Sequence, residues 1–106
     1  MGQFNSQPVI KATDDYEKTV SVYGYDSVTF DIAGTASSAT ILFYIIAGSG
    51  ERRSVNPTRI SGDLDIVQSA EMGNVYNFDT TGIASVVISI SGISNGHVDV
   101  FMTGVD

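Results

Sequence analysis

The sequence predicts an all-β protein, an antiparallel β-sandwich of jelly-roll type with about eight strands and little or no helix. Three observations carry that expectation. Apolar and polar residues alternate with a period of two in several segments, the spacing that turns one face of a strand to a core and the other to water. Glycines recur at intervals of about ten residues, the rhythm of short strands joined by tight turns. No window of eleven or more residues holds a 3.6-residue apolar stripe, so no substantial helix is expected.

Taken in order, strands are expected over residues 7–12, 18–23, 26–33, 38–47, 53–60, 63–68, 74–79, 84–91 and 97–103. Residues 1–17 read as an N-terminal arm or edge segment, and residues 18–106 as the sandwich domain. The clearest alternation is Val28-Thr29-Phe30-Asp31-Ile32, repeated by Val86, Ile88 and Ile90 and again by Val98, Val100 and Met102. Two segments share one pattern, G-x-x-S-V-x-Φ-x-I-x-G, from Gly24 to Gly34 and from Gly82 to Gly92. The pattern reads as two related hairpins in equivalent places of the two sheets, each strand framed by glycines. Asn95-Gly96 is the signal of a type I′ hairpin between the strands on either side of it. Asp65 to Met72 offers a short helical turn or, equally, a strand and loop.

One strand breaks the alternation. Ile41-Leu42-Phe43-Tyr44-Ile45-Ile46 is apolar on both faces. The N-terminal segment or another subunit would cover the outer face; left bare, it would invite aggregation. Ile41, Phe43 and Ile45 are therefore candidate subunit contacts. Arg52, Arg53 and Arg59 join them, three of the chain's five cations within eight residues. Arginine binds a carboxylate bidentately and suits docking on an acidic face.

Composition narrows the function. Charged residues make up 16% of the chain, below the roughly one quarter usual in soluble domains. The net charge of −7 leaves few cations to neutralise phosphates, which argues against nucleic acid as a partner. Without cysteine there is no disulfide, no thiolate metal site and no thiol nucleophile. No apolar run approaches the roughly 20 residues that span a bilayer, so no membrane insertion is expected. Met1 to Ile10 has no basic stretch followed by an apolar one, so no signal peptide is expected.

Chemistry is sparse. The one histidine, His97, follows the Asn-Gly turn and reads as a surface residue; no Gly-x-Ser-x-Gly elbow accompanies it. Gly48-Ser49-Gly50-Glu51-Arg52-Arg53 lacks the Lys and hydroxyl residue of a phosphate loop. Asp14, Asp15 and Glu17, and Asp63 with Asp65, are carboxylates of the kind that hold Ca²⁺, but they fit no EF-hand loop and read as solvated turn acids. The sequence thus predicts no enzyme, no cofactor and no metal. Tyr23, Tyr25 and Tyr76 remain as candidate ligand contacts, since tyrosine at loop edges suits stacking on a sugar or a protein.

Two stretches resemble a family. The run V-x-V-x-G-Y-D-S-V-T-F-D-I-A-G-T-A-S-S-A-T-I-L-F, from Val20 to Phe43, and F-D-T-T-G-I-A-S-V-V-I-S-I-S-G-I-S-N-G-H-V-D-V, from Phe78 to Val100, are similar to small β-sandwich modules of bacteriophage virion proteins. Those are tail, baseplate, head-fibre and capsid-decoration components. The resemblance implies a structural virion protein, made in the host cytoplasm, that forms homo-oligomers and docks on other virion proteins. It transfers no catalytic residue. The alternative from a different class is a carbohydrate-binding module that recognises a glycan on the host surface.

Overall fold

A computed structural model describes residues 4–46, 49–62, 64–67 and 69–105, with the side chains of residues 4–7 outside that description. The described residues form ten strands: β1 (Phe4–Ala12), β2 (Tyr16–Ser21), β3 (Ser27–Gly34), β4 (Ser38–Ile46), β5 (Arg52–Val55), β6 (Thr58–Arg59), β7 (Asp65–Ile66), β8 (Val75–Asp79), β9 (Ser85–Ser94) and β10 (Val98–Val105). They form a six-stranded sheet, β1-β10-β3-β8-β6-β7, and a four-stranded sheet, β2-β9-β4-β5. Every pairing is antiparallel. No helix occurs among the described residues.

Without the two-residue strands β6 and β7, each sheet has four strands, ordered β1-β10-β3-β8 and β2-β9-β4-β5. Consecutive strands pass from one sheet to the other except at the β4–β5 hairpin. This is the eight-stranded jelly roll, extended at one edge by an insertion between β5 and β8. The sequence read that insertion least well. The strand expected over 53–60 is interrupted at Asn56-Pro57, where Pro57 is buried and has no N–H to give a ladder. Of the strand expected over 63–68, Asp65–Ile66 forms, while residues 63 and 68 lie outside the described residues. The described residues of Asp65 to Met72 are strand and loop. Ala70 exchanges two backbone bonds with Ile41, at 2.8 and 3.3 Å, along the stretch of β4 that short β5 leaves unpaired.

The repeat is real, but its hairpins are not. In both copies the three inward residues are buried: Val28, Phe30 and Ile32 on β3, and Val86, Ile88 and Ile90 on β9. The framing glycines Gly24, Gly34, Gly82 and Gly92 all take positive φ. However, β3 pairs with β10 and β8, and β9 pairs with β2 and β4. Each copy therefore leads into an arch that crosses between the sheets. Asn95 and Gly96 do take positive φ, 57° and 150°, but they join β9 of one sheet to β10 of the other. The two arches pack on each other. Thr35 N and Ala36 N both donate to His97 O, at 2.9 and 3.0 Å, and Ser37 N donates to Ser94 O at 2.8 Å.

Alternation decides which face of β4 is the core. Ile41 and Phe43 are buried between the sheets, and Ile45 packs partly buried against the same core. Phe43 stacks on Phe30 at 5.4 Å and meets Phe78 edge-on at 4.9 Å, so one ring from the four-stranded sheet locks onto two from the other. Ile41 and Phe43 are thus core residues and not subunit contacts. Leu42, Tyr44 and Ile46 face outward and are half-buried. The N-terminal segment does not cover them, because β1 pairs with β10 in the opposite sheet.

Candidate functional site

Three surfaces are candidates for function, each set by a different part of the fold. The outer face of the four-stranded sheet carries Tyr44, with the Arg52 guanidinium 4.2 Å above its ring. Arg52 Nη1 reaches on to Glu17 Oε1 at 2.6 Å, so one side chain lies across the apolar row from β5 towards β2. Glu17 is therefore a partner for arginine, and Asp15 Oδ1 accepts from Gly92 N at 3.1 Å. Arg53 pairs with Glu51 at 3.0 Å. Arg59 is on β6 in the other sheet, so the three arginines do not form one patch.

The second surface is the end strand of the six-stranded sheet. Around β7, Leu64 is 75% exposed, Ile66 71% and Ile60 47%. Nothing in the sequence reading singled these residues out. Leu64 and Ile66 alternate with acids over too few residues to mark a face, and Ile60 lies between Arg59 and Ser61. The only available signal was three large aliphatics at the end of one expected strand, 53–60, and within the next, 63–68.

The third surface is the end of the sandwich where the β2–β3 and β8–β9 turns meet. A shallow cleft of about 400 Å³ lies there, lined by Tyr23, Tyr25, Asp26, Thr80 and Ile83 together with glycine and alanine backbone. Thr80 is the one buried polar side chain among the described residues; its hydroxyl donates to Tyr25 O at 2.8 Å and its N–H to Asp26 O at 2.9 Å. Asp26 N donates to Val105 O, which fixes the turn to the last strand. Beside it, Thr81 N donates to Asp79 Oδ1 at 3.0 Å, and this bond, with a second from the Thr81 side chain, holds the Asp79 carboxyl below its usual range. Tyr23 stands almost free at the rim. The Tyr25 ring is turned inward over Gly104.

Tyr76 does not belong to this cleft. It is buried, and its hydroxyl accepts from Glu71 N at 2.8 Å. Its inward position on β8 makes it a core residue and not a ligand contact.

His97 is more engaged than a surface residue. Its Nδ1 lies 2.9 Å from Thr35 Oγ1 and its Nε2 3.1 Å from Asp99 Oδ2. The His97 N–H also donates to Thr35 Oγ1 at 3.2 Å, so the same oxygen meets both the ring and the backbone of His97. The carboxylate accepts only, so Nε2 carries the ring proton. A hydroxyl, an imidazole and a carboxylate in a row resemble a nucleophilic triad. The chemistry also needs donors for an oxyanion, and the adjacent Thr35 and Ala36 N–H groups are both committed to His97 O. The row fastens one arch to the other.

The chain matches the sequence profile of the XepA family over residues 11–104. No curated protein sequence matches it. The crystal structure of the SPBc2 prophage-derived protein YomS is similar, with 23% identity and a TM-score of 0.88, over 100% of this chain and 96% of that one. The crystal structure of the PBSX exported protein XepA is similar with 17% identity and a TM-score of 0.86, over 99% of this chain and 38% of that one. At these identities the two structures establish a shared fold: nearly the whole of one protein, and little more than a third of the other.

Proposed function

This chain belongs to the XepA family, and from that premise we propose that it is a phage-associated structural module that acts by contact and not by catalysis. It forms homo-oligomers and docks on other phage structural proteins, with the virion as its place of work. The observation that carries this reading is the exposed aliphatic group of Ile66 on the terminal strand of the larger sheet with Ile60 and Leu64 in the turn before it. A strand edge flanked by exposed aliphatics is a template for pairing, and natural proteins blunt such edges unless something covers them. The names of the two similar structures, a prophage-derived protein and a phage exported protein, support the phage association. A fold that nearly fills one of these chains and makes up 38% of the other supports the reading as a module. The non-catalytic part rests on the Thr35–His97–Asp99 row, whose neighbouring donors are already engaged.

Light scattering on the eluting chain, with mass spectrometry of purified particles, tests this. The expected result is a defined oligomer that Ile66→Asp converts to monomer, together with the chain's presence in the particle. A monomer at high concentration, absent from particles, would overturn the proposal.

A further inference from the structure

We propose that the cleft between the β2–β3 and β8–β9 turns binds a neutral saccharide, with Tyr23 as the stacking face and Asp26 as the acceptor of sugar hydroxyls. This stands apart from the assembly reading, since the cleft lies at an end of the sandwich and uses neither the β7 edge nor the face under Arg52.

The argument begins with exposure. Tyr23 is 82% exposed, the highest value among the large hydrophobic side chains described, and it sits in a turn whose backbone is held tightly. Tyr25 N donates to Val22 O at 3.1 Å, Asp26 N to Val105 O at 2.8 Å, and Thr80 ties both Tyr25 O and Asp26 O from the opposite turn. An aromatic ring on a rigid turn offers a flat face at low entropic cost, the property that makes tyrosine a contact residue. Leaving that face in water serves no packing purpose.

Charge then selects the ligand. The lining holds one carboxylate, Asp26, and no Lys, Arg or His. An anionic ligand would meet only repulsion, which disfavours phosphate and sialic-type sugars. Among the described residues the Asp26 carboxylate has no hydrogen bond or ion pair, so its acceptor sites are open to a partner. A carboxylate next to an aromatic face also suits a quaternary ammonium, but such ligands are held in cages where several rings surround the cation. Here the second ring is not available: a Cβ on Gly104 would lie 2.5 Å from Tyr25 Cδ1 and 2.6 Å from Cε1, so the ring of Tyr25 is packed down on the last strand. One ring face, one hydroxyl acceptor and the half-buried side chain of Ile83 beneath match a sugar, with its C–H face and its equatorial hydroxyls.

The test uses the intact chain on an array of neutral and acidic glycans. The strongest neutral hit is then titrated into isotope-labelled protein, with choline chloride and inorganic phosphate as parallel probes. Amide shifts are expected at residues 22–26 and 80–84 with the saccharide and with neither probe. Tyr23→Ala should weaken binding at least about tenfold, the equivalent of about 1.4 kcal/mol, while Tyr23→Phe keeps it. Asp26→Asn should weaken it less, because an amide oxygen still accepts. No binding to any neutral glycan, equal binding by Tyr23→Ala, or shifts at this cleft with choline instead would each overturn the proposal. None of these outcomes depends on whether the chain self-associates.

Discussion

Replacing Phe43 by alanine tests the direction in which β4 faces, the point on which the outer-surface readings depend. The ring is 1% exposed and contacts Phe30 and Phe78 with centroids 5.4 and 4.9 Å away. Truncating a buried phenylalanine costs about 3–5 kcal/mol through lost transfer energy and the cavity left behind. Each aromatic pair adds about 0.5–1.5 kcal/mol beyond burial, which puts this site towards the upper end, at about 4–5 kcal/mol. A domain of this size has about 5–15 kcal/mol in total, so the variant should lose about a quarter or more of its stability. Urea unfolding followed by circular dichroism at two protein concentrations is the measurement. A large fall in midpoint relative to the parent is expected, with an unchanged slope and the same fall at both concentrations. Should the variant fail to fold, Phe43→Leu, which keeps most of the volume, should cost about 1–2 kcal/mol, again by the same amount at both concentrations. If either variant unfolded like the parent but lost self-association, Phe43 would be an interface residue and the assignment of faces on β4 would be wrong.

Thr80→Val keeps the shape of the one buried polar side chain described but removes the hydroxyl that donates to Tyr25 O; a loss of about 1–3 kcal/mol is expected in chemical unfolding, and no loss would mean that the turn is not held by that bond. Asp79 is held below the ordinary aspartate value of 3.8 by the Thr81 N–H, so its contribution is present above that pH and is lost as pH falls through the depressed native value. Asp79→Asn should therefore flatten the acid limb of a stability–pH curve measured between about pH 5 and 2, and an unchanged limb would count against the bond.

Much of this fold is legible in the chain because a strand with one buried face must alternate. The set Val28, Phe30, Ile32 and its partner Val86, Ile88, Ile90 mark their own core faces, and all six are buried. The same rule is silent where both sets are apolar. Along Ile41 to Ile46, the two registers are equally oily in sequence, and only the position of Phe30 and Phe78 across the sandwich selects Phe43 as inward. Tyr76 was opaque for a related reason: tyrosine is as much at home with its ring in a core and its hydroxyl on a backbone N–H as on a rim. Tyr23 and Tyr25 are two residues apart in sequence, yet one is free and the other is packed down by Gly104, nearly eighty residues later.

Turns hide their destination for a deeper reason. Asn95-Gly96 specifies a backbone that reverses with positive φ, and the chain adopts it. Local chemistry does not say whether the strand that follows pairs with the one before or enters the facing sheet. That choice belongs to the partner arch. Gly34, at φ +114°, has no room for a side chain because His97 O lies where a Cβ would be, and Gly96 has Thr35 Oγ1 and Ala36 N in the same place. Each arch therefore needs its glycine for the other arch as well as for its own bend. Two copies of one short pattern, which read separately give two hairpins, give a jelly roll when each must leave space for the backbone of the other. The Thr35–His97–Asp99 row is the polar seam of that contact. It engages the chain's one histidine in joining the β3–β4 arch to the β9–β10 arch.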